Sequence, residues 1–320
     1  MSNHKKTSIG GQALIEGIMM RGPKKTVMAI RKKDGSIDLV PREIKSIKDK
    51  CKLFNLPIIR GVVGFVESMM VGYKAMMDSA ELSGYLDEEL SEEQNSEEGS
   101  EKKENTFLVK CVTIISTVLA VILSIGLFIY LPSFIFKIVN HLLSNAISSW
   151  QAVFEGILKI LIFVGYMAAV SQMKEIKRVY RYHGAEHKTI FCYEAGLPLT
   201  VENVKIQSRF HPRCGTSFMI LMLIVSIAVT LMLDLIVPWL KGVLWLRTII
   251  KLLLVPLICG IGYELIKICG RYDNIATRII AYPGLLLQKL TVYEPDESMI
   301  EIAIAAMNEV IPENEEEDKW

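Results

Sequence analysis

Residues 217–237 read SFMILMLIVSIAVTLMLDLIV, with Asp234 as their one charged residue. A helix needs roughly 20 apolar residues to cross the hydrocarbon core of a bilayer, and this stretch meets that length. Three further segments, 107–131, 152–170 and 244–268, approach or exceed it. The link 132–150 is moderately apolar with Lys137 as its charge, and PWLKG at 238–242 is a short turn. The expected fold is therefore mainly α, a polytopic helical membrane protein with about four apolar segments and a mixed α+β cytoplasmic portion. The alternative is two spans plus a re-entrant pair. It arises in the last segment, where Pro256, Gly260 and Gly262 loosen the middle and Glu264 approaches the far end. Arg247 and Lys251 lie one turn apart near its outer end, placed to snorkel or to pair with Asp234. Elsewhere the ionisable residues of these segments are expected near their ends, with no charged midplane face, which argues against a transporter.

Composition agrees. Hydrophobic residues make up 51% of the 320-residue chain, and the mean hydropathy is +0.34. A formal charge of +1 provides no basic footprint for nucleic acid. The six cysteines form no spaced framework and are read as reduced. No apolar signal core follows the polar start at Met1–Lys6. Residues 1–60 hold 14 Lys/Arg against 5 Asp/Glu, and 171–216 hold eight Lys/Arg. The positive-inside rule then places both regions and both termini in the cytoplasm, with the protein multi-pass in the cell membrane. Trp150, Trp239 and Trp245 fall near the outer interface.

Six regions follow. Residues 1–80 form a cytoplasmic α+β region. Its strands run through ALIEGIMM, TVMAIRK and IDLV, with turns at Arg21-Gly22-Pro23 and Lys33-Asp34-Gly35-Ser36. An amphipathic helix rich in Met closes it, expected at the interface or packed in a groove. Residues 81–106 are an acidic linker expected to be disordered, with ten acidic residues between Glu81 and Glu104. Residues 107–170 are a first transmembrane pair, and 171–216 a cytoplasmic His/Cys-rich loop. Residues 217–269 are a second transmembrane or re-entrant pair. Residues 270–320 hold cytoplasmic C-terminal helices and an acidic tail. The last helix starts at Glu294-Pro295-Asp296-Glu297-Ser298 and carries an apolar stripe through Met299, Ile300, Ala303, Ile304, Met307, Val310 and Ile311.

The chemistry concentrates at 182–217. His183, Glu186 and His187 form H-x-x-E-H, which on a helix puts both imidazoles and the carboxylate on one face. Two His ligands and a Glu general base are the parts of a hydrolytic metal site. Glu194, His211 and Cys214 compete for the third ligand position, and zinc is the expected divalent metal. Gly184 weakens the helix, which otherwise continues without a breaker from the second apolar segment; Gly196 and Pro198 end it. Thr216 or Ser217 is placed to cap the next helix. Against this stands a plain alternative: Glu186 and Glu194 merely pair with Arg178, Arg181 or Lys188 on a charged helix.

The blocks GGQALIEGIMMRGP (10–23), YHGAEHK (182–188), HPRCGTSF (211–218) and EPDES (294–298) resemble the signature blocks of the YqhQ family of bacteria. The resemblance covers essentially the whole chain. It implies an integral membrane protein and a predicted metal-dependent enzyme, without naming an activity.

Two functional readings result. One is a metal-dependent enzyme, hydrolase-like, acting at the cytoplasmic membrane face on a lipid, peptide or other membrane-associated substrate. Its ligands come from His183, His187, His211, Cys214 and Glu194, and Glu186 is the catalytic base. The other is a non-catalytic membrane scaffold or assembly factor whose His/Cys site is structural. The partner in either is the lipid bilayer, not nucleic acid.

Overall fold

The computed structural model describes residues 6–43, 46–47, 51–85, 105–272 and 274–318. Most of the acidic linker expected at 81–106 lies outside the described residues. The chain divides into two compact units. Unit 1 comprises Met1–Ser91, Met167–Leu221 and Gly260–Trp320; unit 2 comprises Glu92–Tyr166 and Met222–Cys259.

Unit 1 opens with an antiparallel meander in the order β1-β2-β3-β4, with β1 Gly10–Leu14, β2 Gly17–Arg21, β3 Thr26–Arg31 and β4 Ile37–Arg42. Both expected turns are present. Gly22 N–H bonds the Lys25 carbonyl, and Gly35 takes φ +84°, a conformation open to a residue without Cβ. Burial along β2 and β3 is nearly continuous, not alternating, because both faces of the sheet are covered.

Helix α1, Ile59–Leu82, covers one face; Ala75 and Val71 meet Leu14, Met19, Met28 and Ile30 there. Its small residues face inward, while Met69 and Met70 stay about 60% exposed. Met69, Met70 and Met77 are thus not on its packing face, and Met76 is half-buried. The opposite sheet face meets the C-terminal helix and the histidine helix described below. The C-terminal helix Glu297–Val310 packs on β2 and β3 and, along its side, against the histidine helix, which covers β1. Met299, Ile300, Ala303, Met307 and Val310 are buried, and so are Ile302 and Ala306, because the helix is packed on two sides. Each large side chain so buried contributes about 1.5–3 kcal/mol.

In order, α2 is Asn105–Ile125, followed by a π-helical turn Gly126–Tyr130 and α3 Leu131–Leu142. Then come α4 Gln151–Val170, α5 Lys174–Glu194, α6 Val201–Lys205, α7 Gly215–Ile236, α8 Leu244–Leu253, α9 Val255–Arg271, α10 Ile275–Thr291 and α11 Glu297–Val310. Among the described residues three stretches are long and apolar enough to cross a membrane: Ile115–Leu142, Ser148–Val170 and Gly215–Ile236. The pair α8 and α9, bent by 44°, makes a fourth if it counts as one span. The fold is mainly α with a small N-terminal sheet, as the apolar segments and strand patterns imply.

Two local expectations are corrected. The second apolar segment does not run unbroken into the histidine helix. Met173 is extended (ψ 138°), and the Ser171 hydroxyl bonds back to the Ala168 carbonyl, so α4 ends and α5 starts afresh. Nor are the charges of the apolar segments confined to their ends. Lys159 stands at the midpoint of Ser148–Val170, with the buried Glu155 one turn before it.

Candidate metal centre

Helix α5 carries H-x-x-E-H through its most buried part; Tyr182 and Gly184 to Ile190 are all buried. Gly184 is there because the Tyr293 carbonyl packs directly on the helix. A Cβ at 184 would lie 1.9 Å from that oxygen. The helix ends as its sequence indicates, with Gly196 at φ +69° and its N–H on the Tyr193 carbonyl.

The centre is formed by His183, His187 and Cys214, whose ligand atoms all lie within 4.8 Å of one another. His183 Nδ1 lies 3.0 Å from the Thr291 carbonyl oxygen. His187 Nδ1 lies 2.6 Å from the Arg209 carbonyl oxygen. A carbonyl only accepts, so each Nδ1 carries a proton and each Nε2 is the atom left to bind a metal, His183 by giving up its second proton. His183 Nε2 is 3.2 Å from Cys214 Sγ. Cys214 immediately precedes α7, and its sulfur accepts the Thr216 N–H at 3.4 Å. The cap thus comes from Cys214 and not from Thr216 or Ser217; the Ser217 hydroxyl instead accepts from Gln288 at 3.1 Å.

Charge in the cluster follows from this packing. Burial alone would raise the Cys214 thiol, but His183 and His187 outweigh it and hold Cys214 well below its ordinary value. Burial alone would lower His183; the Cys214 sulfur, through charge and hydrogen bond, instead carries it up to about 9. Glu186, between the two histidines in sequence, is raised chiefly by burial, against the pull of His183 and His187. The Gly11 backbone hydrogen bonds to it, and strand β1 passes so close that a Cβ on Gly11 would meet the Glu186 carboxyl at 2.9 Å.

His211 and Glu194 are engaged beside the cluster. Glu194 pairs with Arg213 and accepts the Thr7 N–H at 2.9 Å. Burial works against its ionisation, but the His211 hydrogen bond and Arg213 hold it below the usual carboxylate range. The His211 ring lies 5.6 Å from that of His187. Its Nδ1 accepts the Arg213 N–H at 3.3 Å, and its Nε2 faces Glu194 at 3.7 Å. Burial lowers it.

Sequence reasoning passed over three contributors. The carbonyls of Thr291 and Arg209 carry no side-chain signature. Gln288 of α10 clamps the His211 backbone, accepting its N–H at 2.8 Å and donating to its carbonyl at 2.7 Å. A glutamine in an apolar helix was the only available sign. Glu16, a loose acidic residue in the sequence, pairs with Arg178 and accepts from Tyr182.

A family model described as "Protein of unknown function (DUF1385)" matches residues 56–313. The chain belongs to this family. It is also 36% identical to "Uncharacterized protein YqhQ" of Bacillus subtilis (strain 168) over 315 residues, covering 97% of this chain and 95% of that protein. No solved structure matches the chain. The DUF1385 match spans all of α5, Cys214 and α10; Thr7, Gly11 and Glu16 lie before it. Neither description names a reaction or a metal.

Proposed function

We propose that the protein is a metal-dependent enzyme of the hydrolase type, acting on a membrane-associated substrate at the cytoplasmic face of the cell membrane. One observation carries this. Two imidazoles, each fixed through Nδ1 by a backbone carbonyl, stand with their other ring nitrogens beside one cysteine sulfur. Metal-ligating histidines are oriented by such outer partners. Two nitrogens and a sulfur are borderline-soft donors, suited to zinc, and three protein ligands leave a coordination position for water or substrate. The metal would supply Lewis acidity and a more acidic bound water. Burial raises Glu186 between the two imidazoles, which supports its role as the general base. Cys214 joins directly to a membrane-competent helix, which supports a substrate drawn from the bilayer. The basic residues of 1–60 and 171–216 support the cytoplasmic placement of both termini.

A second reading, a membrane scaffold with a structural site, is favoured by the same carbonyl contacts. They tie α5 to the end of α10 and to the segment before Cys214. The test is elemental analysis of detergent-purified wild type beside His183→Ala, His187→Ala, Cys214→Ser and Glu186→Gln. The enzyme reading expects near-stoichiometric metal in wild type and Glu186→Gln, its loss in the ligand variants, and loss of turnover in Glu186→Gln. A silent Glu186→Gln with collapse of the ligand variants selects the scaffold. Metal-free wild type after reconstitution with zinc, manganese and iron overturns both metal readings.

A further inference from the structure

The interior of unit 2 holds a charge arrangement unrelated to the histidine cluster. Arg247 is fully buried and donates to Glu155 and to Asp234, the latter at 2.9 Å; its Nε has no partner among the described residues. Lys251 donates to Glu155 at 2.5 Å and to Ser133 at 3.3 Å. Gln151 adds a hydrogen bond to Glu155 at 2.9 Å, and Lys241 stands 4.0 Å from Asp234. Both carboxylates are therefore engaged by Arg247, Lys251 and Lys241, and Lys159 shares neither. Lys159 has no hydrogen bond or ion pair among the described residues. It lies at the middle of Ser148–Val170, about 16 Å from either end at 1.5 Å per residue, beyond the reach of a snorkelling side chain.

Lys159 and Lys251 line the same half-open cavity of about 170 Å³. One water needs only about 10–15 Å³ of such space. Ser226 and Thr230, also in its wall, commit their hydroxyl protons to backbone carbonyls of α7. The rest of the wall is apolar, including Phe128, Met222 and Ile258. Lys159 feels Glu155 one turn away without touching it; an ammonium without a direct partner at this depth is costly, and intramembrane charges are ordinarily paired. The missing partner must bring negative charge and fit an apolar wall.

We propose that this cavity binds an anionic amphiphile from the bilayer, its carboxylate or phosphate head on Lys159 with Lys251 beside it and its chain along the apolar wall. A small soluble anion satisfies the lysine but leaves the wall unfilled, and a zwitterionic lipid brings no net charge.

The test uses full-length protein in detergent, titrated separately with palmitate, dioleoyl phosphatidic acid, dioleoyl phosphatidylcholine and inorganic phosphate. Bound amphiphile is counted by native mass spectrometry and phosphate by equilibrium dialysis. Wild type is expected to bind palmitate or phosphatidic acid about one to one, and at least about tenfold more tightly than phosphatidylcholine or phosphate. Lys159→Gln is expected to weaken the anionic amphiphile about tenfold, and Lys159→Arg to restore it. Equal binding of phosphatidylcholine, phosphate as the tighter ligand, or an unchanged Lys159→Gln each overturns the proposal. So does failure of Lys159→Gln to fold, because it would place the partner of Lys159 within the protein.

Discussion

Gly11 of β1 is in backbone contact with the Glu186 side chain of α5, with no space between them for a methyl group. The glycine of the N-terminal strand therefore fixes where the candidate base sits. Gly11→Ala is expected to cost about 1–3 kcal/mol through overpacking. In a Glu186→Ala background most of that cost should vanish, giving a strongly non-additive cycle. Thermal unfolding of the four proteins in one detergent checks this; additive effects would refute the contact.

Gly184 gives a case in which tertiary contact reverses helix propensity. On an isolated helix Gly184→Ala gains about 1 kcal/mol. Here the new methyl meets the Tyr293 carbonyl at 1.9 Å, so net destabilisation is expected. A melting temperature at or above wild type would contradict the packing of Tyr293 on α5.

Glu194 separates a supporting carboxylate from a ligand. It is buried against Arg213, so Glu194→Gln leaves a buried guanidinium without its charge partner, at a cost of about 3–5 kcal/mol. Metal content should nevertheless stay at the wild-type level in the folded fraction. Loss of metal with unchanged stability would make Glu194 a ligand.

The start of α11 gives a pH dependence with a definite sign. Burial works against ionisation of Asp296 and Glu294. Hydrogen bonds from Ser298 and Met299 to Asp296, and from Lys188 and Arg209 to Glu294, nevertheless carry both below their ordinary values of 3.8 and 4.5. A lowered folded pKa means the stabilisation is complete above the ordinary value and is lost as pH falls through the folded one. Unfolding midpoints should therefore drop as pH falls below about 5 and on through the two folded values, and less steeply in Asp296→Asn, which keeps the cap but not the charge. Asp296→Ala should cost about 1 kcal/mol at neutral pH. Identical pH profiles for wild type and Asp296→Asn would remove Asp296 from the account.

Ile302 to Ala tests the two-sided packing of α11. The stripe visible in the sequence leaves out Ile302, yet it is fully buried. A loss of about 2–5 kcal/mol is expected, the range for a buried aliphatic residue. A surface-like effect below 0.5 kcal/mol would mean that only one face of α11 is covered.

Much of this was legible in the residues themselves. Runs such as 217–237 declare membrane-competent helices because length and hydropathy alone meet the bilayer criterion. The i, i+3, i+4 spacing of His183, Glu186 and His187 declares one helical face, and Gly196 and Asp296 mark helix ends by their backbone chemistry. The choice among Glu194, His211 and Cys214 as neighbours of the two imidazoles was not legible. It depends on where Thr7, Arg213 and Gln288 arrive from distant parts of the chain. Nor were the carbonyls of Thr291 and Arg209, since every residue has one and only the fold aims it. Sequence fixes which groups a chain carries and their local spacing; tertiary structure decides which buried group satisfies which, because a buried polar atom must be paired wherever the chain places it.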